Sequence, residues 1–301
     1  MKYIPSEIFY ISCVVFVAII IALAIRLRQV KGKLSSTVIN DNKSETLVQQ
    51  IEQGFENQEF KMHLQFIVDN KTKQIVSAEA LSRWEKDNGK LVPPGEYIGT
   101  MKDCGIIARL DYYMFEKACK KLEQWKTTEF EGITLSCNFT RITISEQDFV
   151  QKIAKIANGY DFDRSKLLLE ITEDSKELNA DGAMENITRI REMGFQVAVD
   201  DLGSGYTSFL SLCKYPINVV KIDREMFLKT CEENGQKVFW AIVALAHDLN
   251  MSVVCEGVET EEQNQFVTES NCDMIQGWYY SRALPEQEAE AFARAYMAKT
   301  C

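Results

Sequence analysis

Histidine is almost missing from this chain of 301 residues: His63 and His247 are the only two. A histidine-rich metal site is thereby excluded, and any bound metal must be a hard cation held by oxygen. Nine cysteines are present, but they form no CxxC pair, their number is odd, and they sit largely in apolar or helical runs. They read as reduced thiols filling core positions, not as a disulfide framework or zinc site. A basic track is missing too. The formal charge of −10 excludes a surface that grips long nucleic acid, though not a small phosphate-bearing ligand reached through metal. No GxGxxG turn follows the first strand-like run, which argues against an open dinucleotide-binding sheet. No Pro/Gly/Ser-rich break and no internal repeat interrupts residues 48–301, which are therefore read as one domain.

What the chain does contain begins with an uncharged run, Ile8–Ile25. As a helix it would reach about 27 Å, enough to span a bilayer core. The basic cluster Arg26, Arg28, Lys31 and Lys33 follows the run. A signal peptide would carry its positive charge ahead of the run, and a buried core helix would show a polar stripe. The expectation is an uncleaved anchor over residues 1–29, with a transmembrane helix at about 8–25 and the body on the cytoplasmic side. Residues 30–47 read as a polar juxtamembrane linker, overlapped at its end by a short entry helix over 44–55.

Within the body, Lys61–Val68 and Gln74–Leu81 read as strands joined by a polar turn. Helices are expected from Pro93-Pro94 through Met101 and over Ile107–Trp125, Ser145–Asn158, Asp174–Met193, Gly235–Leu249, Glu261–Ser270 and Pro285–Lys299. Seven short apolar runs each end in a polar group: Glu79, Asn138, Glu170, the pair Asp200-Asp201, Lys221, Glu256 and Gln276. Parallel strands separated by helices deliver such residues to one end of a barrel, so the expected fold is α/β, a (β/α)₈ TIM-type barrel preceded by one membrane helix. So many carboxylates at one mouth would repel each other unless cations sat between them. Lys221, inside a strand that should be buried, needs a partner or a function.

These strand ends carry a resemblance. Glu79-Ala80-Leu81 with Arg83-Trp84 resembles the signature of EAL-domain cyclic-di-GMP phosphodiesterases. The match continues through Asn138, Glu170-Ile171-Thr172-Glu173, Asp200 to Tyr206, Lys221-Ile222-Asp223, Glu256 to Thr260 with Gln263, and Gln276-Gly277. It implies two Mg²⁺ or Mn²⁺ ions per site, one held by Glu79, Asn138, Glu170 and Asp200, the other by Asp200, Asp201 and Glu256. It further implies that Lys221 works with Glu79 and Glu256 in catalysis. Gln65, Arg83, Asp223 and Gln276 would contact substrate, and Glu173 and Glu259 would orient neighbouring groups. The implied reaction is hydrolysis of cyclic-di-GMP to linear pGpG; together with the anchor expected over residues 1–29, the expectation is a homodimer at the bacterial inner membrane. The chain departs from the family pattern at Leu64, Phe66, Leu202, Ser204 and Ala283, none of them a proposed metal ligand. A non-catalytic receptor that binds the dinucleotide is the alternative, and a barrel enzyme using lysine as base on an enolisable acid is a third.

Overall fold

The computed structural model describes residues 46–87, 89–172, 181–202, 215–230 and 233–300. Residues 46–56 form a helix, and the barrel belongs to a separate unit that begins at Gln58. The run Ile8–Ile25 lies outside the described residues, among which no helix is long and apolar enough to cross a membrane.

Successive side chains along the strands of the second unit point to opposite faces, and strands such as Val219–Ile222 are buried on both. Strands β1 (Phe60–Asp69) and β2 (Ile75–Glu85) form a hairpin, with Gln65 directly opposite Glu79. Asp69 turns the chain by accepting from the backbone N–H groups of Lys71 and Thr72. After a short β3 (Leu91–Val92) come β4 (Thr134–Thr140), β5 (Leu167–Thr172), β6 (Gln196–Leu202), β7 (Val219–Ile222), β8 (Ser252–Cys255), β9 (Met274–Gln276) and a short β10 (Leu284–Pro285). Pairing runs β1-β2-β4-β5-β6-β7-β8-β9 and returns to β1, closing an eight-stranded barrel.

One feature corrects the simple (β/α)₈ expectation. β1 pairs antiparallel with both β2 and β9, whereas every step from β2 through β9 is parallel. A two-stranded turn, unlike a helical crossover, reverses direction, so β1 enters the barrel pointing the other way. Its inward residues therefore appear in the opposite order along the chain.

The barrel interior is built in layers, as such barrels are. Ile67, Leu168, Ala198, Val219 and Val254 pack into one buried apolar cluster, with Met274 against it. Each parallel-strand member lies two residues before a polar one: Leu168 before Glu170, Ala198 before Asp200, Val219 before Lys221, Val254 before Glu256, Met274 before Gln276. On the reversed strand the order inverts, and Gln65 precedes Ile67. The apolar layer is thus the floor of a polar mouth at the C-terminal ends of the parallel strands.

Helices cover the outside. Ile107–Trp125 buries the stripe Ile107, Leu110, Met114, Phe115, Ala118 and Leu122. Phe66, which alternates outward between Gln65 and Ile67, stacks against Phe292 of the helix Glu286–Thr300 at 6.3 Å between ring centres. The helix expected from Ser145 starts instead at Phe149. A separate short helix, Arg141–Ile144, precedes it, capped by the Thr140 side chain accepting from the Thr143 N–H.

Candidate active site

Lys221 stands at the centre of the mouth, fully buried on β7. Its Nζ donates to Glu170 Oε2 at 2.7 Å and Glu79 Oε2 at 3.1 Å. Glu256 Oε1 lies 2.6 Å away as an ion pair, and Asp200 Oδ1 lies at 3.9 Å. Four strands thus aim acids at one ammonium. Glu79 is held further by the side-chain N–H groups of Asn138, at 2.8 Å, and Gln276, at 2.7 Å. The pairing of Asn138 beside Glu170 across β4 and β5, and of Gln65 opposite Glu79, sets these groups in register.

The electrostatics follow from one cation shared among several buried acids. Burial opposes charge on Lys221, yet the fields of Asp200, Glu170, Glu256 and Glu79 hold it well above the usual lysine range. Burial also pushes Glu79 up, but Lys221 and the hydrogen bonds from Gln276 and Asn138 outweigh it and leave it lowered. For Glu170, burial and the adjacent Glu79 charge prevail over Lys221, and it is pushed up to about 8. Glu256 is raised well above the carboxylate range, by burial first and then by repulsion from Asp200 and Glu79. Its contact with Lys221 does not reverse this, because that ammonium is already shared. At neutral pH, then, protons remain on this cluster unless further positive charge arrives.

Whether the residues suit divalent metal rests on their donor atoms. Asn138 Oδ1 and Glu170 Oε1 are buried oxygens without a hydrogen-bond partner. Unpartnered buried acceptors are costly and fit hard, oxygen-seeking cations such as Mg²⁺ or Mn²⁺. Among the described residues, however, no three acids form a ready metal site. They close on the lysine instead.

The remaining expected residues divide. Gln65 reaches the mouth, accepting from Gln276 at 3.4 Å and donating to the Ser281 carbonyl at 3.0 Å. Arg83 lines a cavity of about 330 Å³ with Glu79, Asn138 and Asp200, its guanidinium donating to the Ser82 carbonyl. Asp223 stays outside the acid cluster. Its carboxylate caps the helix Arg224–Lys229 by accepting from the N–H groups of Glu225 and Met226. Glu259 pairs with Arg224 at 3.1 Å and, with it, lines a second cavity of about 300 Å³. Glu173 and the loop expected to follow β6 lie outside the described residues, and of Asp201 only the backbone, in β6, is described.

Two residues of the mouth escaped the sequence reading. Asp111 is buried in the first cavity and accepts from Thr140 N–H and Oγ1 at 2.9 Å and from Thr143 Oγ1 at 2.6 Å. Burial pushes it up to about 6 against those hydrogen bonds. The signal was there: an acid between Leu110 and Met114, on the apolar stripe of an amphipathic helix. Trp278 lines the second cavity, and its only sequence signal is its place beside Gln276-Gly277.

Fold and site define a class: an α/β barrel whose acidic C-terminal mouth is organised around one buried lysine. Within that class the chain belongs to the EAL domain family, which it matches over residues 48–283. The cyclic di-GMP phosphodiesterase NbdA of Pseudomonas aeruginosa is 29% identical over 82% of this chain and 32% of its own length. The cyclic di-GMP phosphodiesterase RocR of the same organism is 29% identical over 80% of this chain and 61% of its own. The chain thus spans only part of these curated relatives. Among solved structures, the PaMucR phosphodiesterase in its c-di-GMP complex superposes with a TM-score of 0.76 at 27% identity, covering 81% of this chain and 99% of that one. An EAL domain protein from Listeria monocytogenes gives 0.73 at 26% identity, covering 83% and 98%.

Proposed function

We propose that this chain is a metal-dependent phosphodiesterase that hydrolyses cyclic-di-GMP to linear pGpG. The observation that carries the reading is the convergence of Glu79, Glu170, Asp200 and Glu256 on Lys221, with unpartnered oxygens of Asn138 and Glu170 beside them. The phosphodiesterase names of NbdA and RocR support the same substrate. Glu79, Asn138, Glu170 and Asp200 would hold one Mg²⁺ or Mn²⁺, and Asp200, Asp201 and Glu256 a second. When bound, such a pair supplies Lewis acidity and a nucleophilic water at neutral pH.

The chain's own residues do the rest. Lys221 keeps a fixed positive charge under the reacting phosphate, where negative charge develops, inside a mouth shielded from water. Asn138 and Gln276 hold the Glu79 carboxylate in one orientation through opposite oxygens. Arg83, in the cavity beside Glu79, offers a cation to a phosphate oxygen. The test is product analysis on the full chain with cyclic-di-GMP and Mg²⁺ or Mn²⁺. A folded protein that yields no pGpG would sink the reading.

A non-catalytic receptor is the second reading, favoured by the departures from the family pattern at Leu202 and Ser204, beside the proposed ligand Asp201. Tight binding of the dinucleotide without product would select it. The proposal also includes two features of assembly. The helix Glu233–Asp248 leaves Val238 and Leu245, seven residues apart on one face, exposed, and this pair suits a homodimer contact. The uncharged run Ile8–Ile25, followed by four basic residues, suits a single-pass anchor in the bacterial inner membrane, with the barrel in the cytoplasm.

A further inference from the structure

Of the four acids that meet Lys221, Glu256 is the most exposed, its side chain 21% accessible where that of Glu170 is fully buried. Its backbone N–H makes the last rung to β7, donating to the Ile222 carbonyl at 3.0 Å. The next residue, Gly257, turns the chain at a φ of 71°, in the left-handed region that favours glycine. A glycine has no side chain to anchor such a turn. The carboxylate just before it is therefore only as fixed as whatever packs on the glycine.

What packs there is Arg224, from the segment that follows β7. A Cβ on Gly257 would meet Arg224 Cγ at 2.3 Å and its Cβ at 2.6 Å, so the arginine stem fills the place of the missing side chain. Its Nε reaches on to Glu259, donating to Oε1 at 3.1 Å. Both ends of this clamp are themselves held. Arg224 opens the helix Arg224–Lys229, which the Asp223 carboxylate caps. Glu259 N–H donates to Gln263 Oε1 at 2.7 Å, and Thr260 and Gln263 form a capping box at the start of the helix Glu261–Glu269. Between Gly257 and Glu259, the buried Val258 donates its N–H to the Gln276 carbonyl at 3.2 Å.

We propose that Arg224 is a positioning residue for Glu256: its stem clamps the Gly257 turn, its head is anchored on Glu259, and the clamp fixes Glu256 for the second divalent cation. The inference rests on the two-metal reading above for the identity of that cation. It gives Arg224 no contact with the reacting atoms. Place and charge act here with opposite signs, which separates them. Removing the guanidinium leaves Glu259 unpaired and the rim of the mouth more negative, and by charge alone that strengthens cation binding. A weaker site after the removal therefore reports lost position.

The test titrates Mn²⁺ into the full chain without nucleotide, by calorimetry and by the paramagnetic resonance of free Mn²⁺, for wild type, Arg224→Ala and Arg224→Lys. Cleavage of cyclic-di-GMP as a function of Mn²⁺ concentration is the second readout. Losing a group that orients a metal ligand costs roughly 10–100-fold in affinity. Arg224→Ala should thus weaken one of two Mn²⁺ sites by about tenfold and leave the other as in wild type. Its turnover should recover toward the wild-type value at saturating Mn²⁺. Arg224→Lys, which keeps both stem and charge, should restore most of the affinity. Melting in chelator should stay close to wild type in both variants, because Arg224 is half-exposed. Two Mn²⁺ sites of unchanged affinity in Arg224→Ala overturn the clamp alone. Equal weakening of both sites without rescue by lysine is a general loosening of the barrel and also overturns it. A wild type that binds two Mn²⁺, one of them dependent on Arg224, yet yields no pGpG overturns the hydrolysis reading and upholds the clamp. A wild type that binds fewer than two Mn²⁺ overturns the two-metal reading and the clamp together.

Discussion

The barrel interior holds two layers, two residues apart on the same strands, that follow opposite rules. The lower one, Ile67, Leu168, Ala198, Val219 and Val254, is buried and apolar. The upper one, Gln65, Glu170, Asp200, Lys221 and Glu256, is fully buried at Glu170 and Lys221, half-buried at the others, and crowded with charge. The lower layer needs only volume to be filled, because dispersion and water exclusion have no sign. The upper layer is stable only as a set, because removing one charge strands the others in a medium that cannot solvate them. The floor gives the barrel its stability, and the mouth spends some of it on chemistry.

The largest break in this comparison comes from Lys221→Met. It deletes the single cation that Glu79, Glu170 and Glu256 share within 3.1 Å. We expect turnover to fall at least about 100-fold, and stability at neutral pH to fall by about 3–5 kcal/mol. Turnover close to wild type in the folded variant would contradict the mouth's assignment. Leu168→Ala, two residues from Glu170, should separate the layers. The cavity it opens is expected to cost about 2–5 kcal/mol in denaturant unfolding, while the turnover of each folded molecule is kept. A variant of normal stability but lost turnover would mean that the floor and the mouth are not distinct.

A smaller effect concerns protons. Glu170 is pushed up to about 8 from an ordinary value of 4.5, so between those values the folded protein binds more protons than the unfolded chain. Its contribution to stability is therefore full below the unfolded value and is lost as pH rises through about 8. In the presence of chelator, melting temperature should decline over that window. Glu170→Gln, which mimics the protonated acid, should flatten the decline. Equal slopes in the two proteins would show that the proton sits elsewhere in the cluster. The smallest effect is a control outside both layers. Leu245→Glu, on the exposed face of the helix Glu233–Asp248, should convert the proposed dimer to a monomer by light scattering and leave the unfolding of the barrel nearly unchanged. A dimer that persists would move the interface to another face.

How much of this was legible without coordinates differs between the layers. The polar mouth was readable because each member closes an apolar run, and a charged residue at that position is rare enough to stand out. The floor was not, since Leu168, Ala198, Val219 and Val254 look like any other core residues until the strands are closed into a ring. The reversed order of Gln65 and Ile67 depended on the hairpin between β1 and β2, whose pairing with β9 is a long-range contact. Asp111 was missed because a helix acid reads as solvent-facing unless its face is checked, and its partners Thr140 and Thr143 lie about thirty residues away. Lys121 was missed for the same reason: its ion partners Glu286 and Glu290 come from the far end of the chain.

The amino-acid sequence alone determined the rhythm of strands and helices, the residues at the strand ends and the family. Those are local matters, set by side-chain period, turn chemistry and short ordered motifs. Only the tertiary structure decided which way β1 runs, that Glu79, Glu170, Asp200 and Glu256 converge on Lys221, and that Trp278 lines the second cavity. Each depends on groups far apart in the chain being brought within a few ångströms. Charge and packing at that distance are properties of the closed barrel, and no single segment carries them.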